Sequence, residues 1–342
     1  MPEQFNNDRN TIIALLNSYR LSENSADREK YLLALFRFQY KYNKIYRDYC
    51  ANLKINPEDI RTPIEIPYLP ISAYKHHIVK TGDFTAEEVF KSSGTTGLSR
   101  SNHYIRSVRF YHQNTAYIWK KYFDTPDTFC FLALLPGYLE RDGSSLISMV
   151  HHFIGRSGYS QSGFFLHNHQ DLYDNIIKLQ SDGTPVVLFG VSYALLDFVS
   201  TFKIEFPEII VIETGGMKGQ RKEMTKSELH DILMQGFGTN KIYSEYGMTE
   251  LLSQAYTKGG NKFLPNPMMV VHTKQINDPL SREITGKSGI ICIADFANLD
   301  SCAFIQTEDQ GICYADGSFE ITGRLQDSDI RGCNLLLEEM GL

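Results

Sequence analysis

Tryptophan is nearly absent, with one residue at position 119, and the six cysteines, Cys50, Cys130, Cys292, Cys302, Cys313 and Cys333, form no Cys-x-x-Cys pair. None has a ligand-like histidine partner, so neither a disulfide framework nor a zinc site is indicated, and reduced thiols in the cytoplasm fit best. A surplus of positive charge is also missing. The formal net charge is -6 with no cluster of lysine and arginine, which argues against a nucleic-acid partner. The N-terminus has no basic start and no apolar stretch behind it, so it does not read as a secretory signal. One of the longer apolar runs, 186–199, is too short for a membrane span. The phosphate-binding pattern Gly-x-x-x-x-Gly-Lys-Ser/Thr and the Rossmann glycine fingerprint are both lacking. So are internal repeats and low-complexity tracts.

What the chain does have is a turn dense in hydroxyl groups and glycine between Lys91 and Tyr104. Gly94 and Gly97 can take backbone angles closed to other residues, which lets successive N–H groups curl into an anion cradle. Ser92, Ser93, Thr95 and Thr96 add hydroxyl donors, and Arg100 adds a fixed positive charge. That combination suits the phosphate tail of a nucleotide. An ordinary polar surface loop is the alternative, since serine and glycine are common in loops.

Residues 8–50 carry apolar side chains at helical spacing and read as helices. Pro57, Pro63, Pro67 and Pro70 then break the pattern, and 66–75 reads as an extended run, either a rigid linker or a direct participant. A helix over 106–122 carries Trp119 into the core, and a buried strand over 129–135 follows. Helices are expected over 144–154 and 171–180; His167-Asn168-His169, ahead of the second, reads as a polar loop. Strands over 184–190, 208–213 and 241–244 alternate with helices over 191–204 and 220–235, the order of a doubly wound α/β sheet. Ligands of such sheets bind at the carboxyl ends of the strands, where Gly215-Gly216 and Tyr246-Gly247 stand. From 262 onward, short strands over 269–273, 289–294, 303–306, 311–314 and 318–321 make a β-rich part. The expected division is a helical preface over 1–65, an α/β core over 66–262 and a β-rich subdomain over 263–342.

Taken in order, Ser92–Gly97, Gly215-Gly216, Tyr246-Gly-Met-Thr-Glu250, Thr307-Glu-Asp309 and Gly323-Arg324 resemble the core motifs of the adenylate-forming superfamily of acyl and aryl ligases. The resemblance covers about 85–330 and implies a layered α/β fold and ATP-dependent activation of a carboxylic acid as an acyl-adenylate. It implies that Ser92, Ser93, Gly94, Thr95, Thr96 and Gly97 hold the β and γ phosphates, that Thr249 bonds the α-phosphate and that Glu250 holds Mg²⁺. Gly215, Gly216 and Tyr246, with Gly247 beside it, would frame the adenine. Asp309 would bind the ribose hydroxyls, and Arg324 would sit near the ribose or phosphate. Asp309 as a turn cap and Glu250 as a carboxylate on a helix's first turn are the plainer alternatives.

Members of that superfamily continue past the Gly-Arg pair into a domain that brings a catalytic lysine, whereas only Leu325–Leu342 follow Arg324 here. The expectation is therefore a chain lacking that domain. In this, and in Ile66–Lys75, Leu135–Ser145 and Arg331-Gly-Cys-Asn334, the sequence resembles the acyl-protein synthetases of bacterial bioluminescence. That branch implies a fatty acid substrate and a C-terminal cysteine, here Cys333, that takes the acyl group and passes it to an acyl-reductase or acyl-carrier protein. Arg331 would favour the Cys333 thiolate; the other five cysteines read as structural. The rival readings are an aryl- or acyl-coenzyme A ligase working with a separate C-terminal domain, and a nucleotide-binding scaffold without chemistry.

Overall fold

The computed structural model describes residues 2–92, 100–136, 142–166, 168–215, 224–276, 278, 281 and 284–325. In chain order the elements are α1 (Pro2–Ser22), α2 (Ser25–Tyr42), α3 (Lys44–Asn52), β1 (Leu69–Pro70), α4 (Ala73–His76), β2 (Glu88–Lys91), β3 (Asn102–Ile105) and α5 (Val108–Tyr122). There follow β4 (Cys130–Leu134), α6 (Ser145–Arg156), β5 (Gly163–Phe165), α7 (His169–Ser181), β6 (Val186–Val191), α8 (Ser192–Thr201), β7 (Ile210–Thr214), α9 (Lys226–Phe237) and β8 (Tyr243–Tyr246). The last are β9 (Ala255–Tyr256), β10 (Met269–Lys274), β11 (Ser288–Asp295), β12 (Phe304–Cys313) and β13 (Phe319–Arg324). They fall into two compact units, one of Met1–Tyr111, Thr249–Ser253 and Pro265–Leu342, the other of His112–Met248 and Gln254–Leu264. The expected helical preface and β-rich stretch thus share one unit, and the expected α/β core is divided between the two.

In the first unit, α2 begins at Asn24, whose side chain accepts from the Asp27 N–H, satisfying a donor the helix cannot bond internally. Its spacing buries Tyr31, Leu32, Leu35, Phe36, Phe38 and Gln39. Gln39 is the polar exception and is fully used: Nε2 donates to the carbonyls of Asn298, Leu299 and Ser301, and Oε1 accepts from the Ala303 N–H. A buried amide with each end paired avoids the cost of an orphaned polar group. The Gln39 bonds fix the connection between β11 and β12.

That sheet runs β1, β12, β11, β10, with β13 on β12. The extended run over 66–75 is not a free linker: β1 pairs parallel with β12, Leu69 opposite Ile305, and Ile66, Tyr68, Leu69, Ile71, Ala73 and Tyr74 are buried. Pro70 is tolerated because β1 is an edge strand. The two strands expected over 303–306 and 311–314 are one, β12, with a register shift at Gln310/Gly311. The polar triplet Thr307-Glu308-Asp309 is out of register with β11, which pairs at Gln306 and again at Gln310, and β13 meets only its last residue, Asp309 facing Arg324. Gly311 permits the irregularity, since a Cβ there would lie 2.2 Å from the Glu320 carbonyl oxygen.

The second unit is the doubly wound sheet, in the order β5, β4, β6, β7, β8, β9, parallel except for β9. Every residue of β4 and β6 is buried, as a parallel strand covered on both faces requires. Because β5 lies outside β4 while the later strands build the other way, the winding reverses between β4 and β6. Trp119 of α5 is fully buried and meets the rings of Phe123 at 4.2 Å, Phe153 at 5.2 Å and Phe131 at 5.3 Å. The last helix starts later than the expected 220. Thr225 and Glu228 form a reciprocal capping box that sets the first turn at Lys226.

Candidate active site

The hydroxyl-rich turn joins the two strands of a hairpin, β2 and β3, in which Lys91 pairs with Asn102. The Ser92 N–H donates to the Ser101 carbonyl at 3.1 Å, and the Ser101 N–H donates to Ser92 Oγ at 3.0 Å, closing the base of the turn. Ser93, Gly94, Thr95, Thr96 and Gly97 lie outside the described residues, as do Gly216 and Cys333. Ser101, nearly fully buried, carries the link onward: its side chain lies close enough to the carboxyl of Glu250, itself 5 % exposed, to favour the charged form. Two stretches about 150 positions apart in the sequence thus meet within one unit.

Burial raises the Glu250 carboxyl above its ordinary value, Ser101 opposes the shift, Glu308 adds to it and Arg324 opposes it. Arg324 in turn feels Asp309, Glu308 and Glu250. Its Nη2 lies 3.1 Å from Glu308 Oε2, and Lys75 Nζ lies 3.1 Å from Glu308 Oε1. Asp309 is set by its own N–H donating to Thr307 Oγ1 at 3.0 Å. Thr249, Glu250, Asp309 and Arg324 therefore belong to one unit, with Glu308 between two cations beside them. Glu250 does not stand on a helix's first turn, since 249–253 contains neither helix nor strand.

The segment 249–253 is held by side chains. The buried Asp295 carboxylate accepts from the N–H groups of Leu252 at 2.6 Å and Ser253 at 3.1 Å, and from Ser253 Oγ at 2.6 Å. His103, buried on β3, places Nδ1 at 2.8 Å from the Thr249 carbonyl and Nε2 at 3.1 Å from Asn298 Oδ1. Asn298 Nδ2 donates to the Glu250 carbonyl at 2.7 Å. Burial pushes His103 down to about 4, against the pull of both contacts. Ser101, His103, Asp295, Asn298 and Glu308 were not singled out from sequence. The available signal was a histidine, an aspartate and a glutamate at strand positions, His103, Asp295 and Glu308; Ser101 and Asn298 stand in loops.

In the second unit the carboxyl ends of β7 and β8 carry the other expected residues. Gly215 has φ of 70°, the left-handed conformation glycine adopts without strain, and its carbonyl accepts from Ser192 Oγ at 3.0 Å. A Cβ on Gly247 would lie 2.5 Å from Glu245 Oε1. The Tyr246 ring packs on Phe263, centroids 5.5 Å apart. Burial pushes Glu245 up to about 7 despite the Thr214 hydroxyl bonded to it.

Behind these ends lies Glu213, which accepts from Ser192 Oγ at 2.9 Å and Ser244 Oγ at 2.5 Å, with His230 Nε2 at 3.5 Å and Lys226 Nζ at 3.4 Å. Ser244 and His230 both point at the carboxylate, and Ser244 is fully buried, so this is no relay that deprotonates a serine for attack on a substrate. Burial favours the neutral acid, but the bonds and charges of His230, Lys226 and Ser244 prevail and pull Glu213 down to about 2. With its folded value below the unfolded 4.5, Glu213 contributes stability above that pH and loses it as pH falls towards 2, by up to about 3 kcal/mol. Urea midpoints of the native protein and Glu213→Gln should therefore differ clearly at pH 6.5 and draw together below pH 4.5, with roughly half the gap gone by pH 3. A gap that does not narrow on acidification would contradict this account.

Among curated proteins no match was found. The family model described as acyl-protein synthetase, LuxE, matches residues 13–340. This chain belongs to the LuxE acyl-protein synthetase family. Solved structures similar to this LuxE-family chain are adenylate-forming ligases. A 2-hydroxyisobutyryl-CoA ligase in complex with 2-HIB-AMP and CoA matches with a TM-score of 0.65 and 13% identity, over 91% of this chain and 71% of that one. ATP-bound MatB from Rhodopseudomonas palustris matches with a TM-score of 0.52 and 17% identity, over 71% of this chain and 49% of that one. A long-chain-fatty-acid-CoA ligase, FadD1, from Archaeoglobus fulgidus matches with a TM-score of 0.50 and 15% identity, over 69% and 51%. The aligned part thus spans about half the length of MatB and FadD1. At these identities the likeness is one of fold, and the LuxE-family chain has the adenylate-forming ligase fold. No helix among its described residues is long and apolar enough to cross a membrane.

Proposed function

We propose that this protein uses ATP to activate a carboxylic acid, a fatty acid in the first instance, and transfers the acyl group to Cys333 and then to a protein partner. In the first step an oxygen of the acid's carboxylate attacks the α-phosphorus, and the bond to the leaving pyrophosphate breaks. In the second the Cys333 thiolate attacks the acyl carbon, a carbon–sulfur bond forms and AMP leaves with the oxygen. The acyl group would then pass by thioester exchange to an acyl-reductase or acyl-carrier protein.

The observation that carries this reading is the meeting of the hairpin that bears the hydroxyl-rich turn with the Thr249-Glu250 pair: His103 Nδ1 lies 2.8 Å from the Thr249 carbonyl, and Ser101 acts on the Glu250 carboxyl. Such a link gives a reason for a phosphate-gripping loop and a carboxylate to be folded together. Thr249 would bond the α-phosphate, while Ser92 and the turn beyond it would hold the β and γ phosphates. Asp309 and Arg324 would bind the ribose end, and Gly215, Gly216, Tyr246 and Gly247 would frame the adenine. Catalysis by such a set is mainly positioning and charge stabilisation.

Mg²⁺ fits the donors present. Hard oxygen ligands suit it, and one or two carboxylates together with substrate phosphates suffice; Glu250 is such a carboxylate, with Glu308 electrostatically close. When bound, the cation would neutralise charge on the phosphates.

Pyrophosphate exchange into ATP, screened over fatty acids of several lengths and over aromatic acids, tests the first step. Exchange that depends on the acid is expected, strongest with a fatty acid. No exchange with any acid, despite ATP binding, would sink the reading in favour of a scaffold, and coenzyme A consumption would make coenzyme A the acceptor.

A further inference from the structure

Residues 249–253 interrupt the second unit's stretch of chain, lying between Tyr243–Met248 and Gln254–Leu264 in sequence, yet they belong to the first unit. The pair that the proposed chemistry needs, Thr249 and Glu250, therefore sits in a short excursion with neither helical nor strand hydrogen bonding to fix it. Side chains replace that bonding. Asp295 grips the far half, at Leu252 and Ser253. The near half, which carries the chemistry, is gripped through its carbonyls by His103 and Asn298.

We infer that His103 is a positioning residue for adenylate formation, acting with Asn298 as a bracket on the Thr249 and Glu250 carbonyls that sets the height and direction of both side chains. The inference rests on the proposed acid activation. A carbonyl oxygen can only accept, so His103 Nδ1 carries the hydrogen in the bond to Thr249. The Asn298 amide can reach the Glu250 carbonyl only with its nitrogen, which turns Oδ1 towards the imidazole. With the ring neutral, Nε2 then bears no hydrogen and faces Oδ1 acceptor to acceptor, so the ring from β3 and the amide from the loop after β11 grip neighbouring carbonyls side by side, with no hydrogen bond between them. The amide's side is anchored independently, because the Asn298 N–H donates to the Asp295 carbonyl and the Asn298 carbonyl accepts from Gln39. The ring is steadied from another direction by Tyr74, whose centroid lies 5.6 Å away in an edge-on arrangement. His103 is 1 % exposed, so its part is not to touch substrate but to hold the residues that do.

Misplacing a reacting geometry by about an ångström can cost about a hundredfold in rate, while ATP, held at many other points, need not lose affinity in proportion. His103→Phe keeps a planar ring beside Tyr74 but removes both nitrogens; His103→Asn keeps an N–H near the position of Nδ1. The expected result for His103→Phe is a fall of at least tenfold in the maximal rate of pyrophosphate exchange, with KM for ATP within threefold. His103→Asn should recover most of that loss. Asn298→Leu should reproduce it, and His103→Phe combined with Asn298→Leu should lose little more than either alone. Amide hydrogen exchange across 249–253, read by mass spectrometry, should speed up at least fivefold in His103→Phe and return towards native in His103→Asn. That readout needs no catalysis, so a protein inactive with every acid would refute the proposed function while still deciding whether the bracket exists. Unchanged protection across 249–253 in His103→Phe would overturn the inference. So would losses from the two single variants that multiply in the double variant, or a fall in thermal stability with the maximal rate intact.

Discussion

Glu250→Ala should lower acid-dependent pyrophosphate exchange by about a hundredfold or more, equivalent to ~2.7 kcal/mol of lost transition-state stabilisation. Removal of the carboxylate leaves the charge on the transferring phosphates without the cation it is proposed to hold. Glu250→Gln separates charge from shape. It keeps the volume and an acceptor oxygen beside Ser101, yet should be nearly as inactive as the alanine variant and need a higher Mg²⁺ concentration for what activity remains. The stability of Glu250→Gln should move the other way. Burial disfavours the charged form of Glu250, so the amide should leave the urea midpoint unchanged or slightly higher. A purely structural carboxylate would give the opposite pair of results, lower stability with exchange intact. Exchange within threefold of native in Glu250→Gln would remove the metal role.

Cys333→Ser should abolish the acyl adduct seen by intact mass after incubation with ATP and a fatty acid, while exchange stays within about twofold of native. Adenylate formation precedes the thiol in the proposed order, so the two steps part cleanly. The structure supports the choice by what it does with the other five thiols. Cys50, Cys130, Cys292, Cys302 and Cys313 are all buried. Burial pushes the Cys50 thiol up to about 12, and also raises Cys130 and Cys302. A thiol that keeps its proton at neutral pH is a poor acyl acceptor. Cys333 lies outside the described residues, and its case rests on sequence, on Arg331 two positions away and on this elimination. An adduct of full yield on the Cys333→Ser protein, removable by neutral hydroxylamine, would move the thioester to another cysteine.

The α/β sheet was legible in the sequence because its strands are short apolar runs and its helices have amphipathic spacing. Patterns of that kind depend only on burial. Legibility failed where the determinant was a particular bond. The start of α9 was set by Thr225 and Glu228 capping each other, not by apolar spacing. The expected break within β12 is an irregularity inside one strand, the polar triplet lying out of register with β11 and Gly311 accommodating the shift against β13. Thr249, Glu250, Asp309 and Arg324 were singled out by order along the chain, and they do share a unit. The residues that hold them, Ser101, His103, Asp295 and Asn298, were missed because a polar side chain on a strand or in a loop carries no mark of the distant carbonyl or carboxyl it will meet. Only the fold brings β3 and the loop after β11 to the same five residues.

One glutamine has a consequence for how this protein can be shortened. Gln39 saturates three carbonyls and one amide of the connection that ends in Ala303, and Asn298 lies in that connection. Deletion of the N-terminal helices would therefore strip the Asn298 and Leu299 carbonyls and the Ala303 N–H of these bonds, Ser301 keeping Thr81, and unmoor the far arm of the clamp on Glu250, so the part of the chain most like a detachable handle by its sequence is a strut for the chemistry.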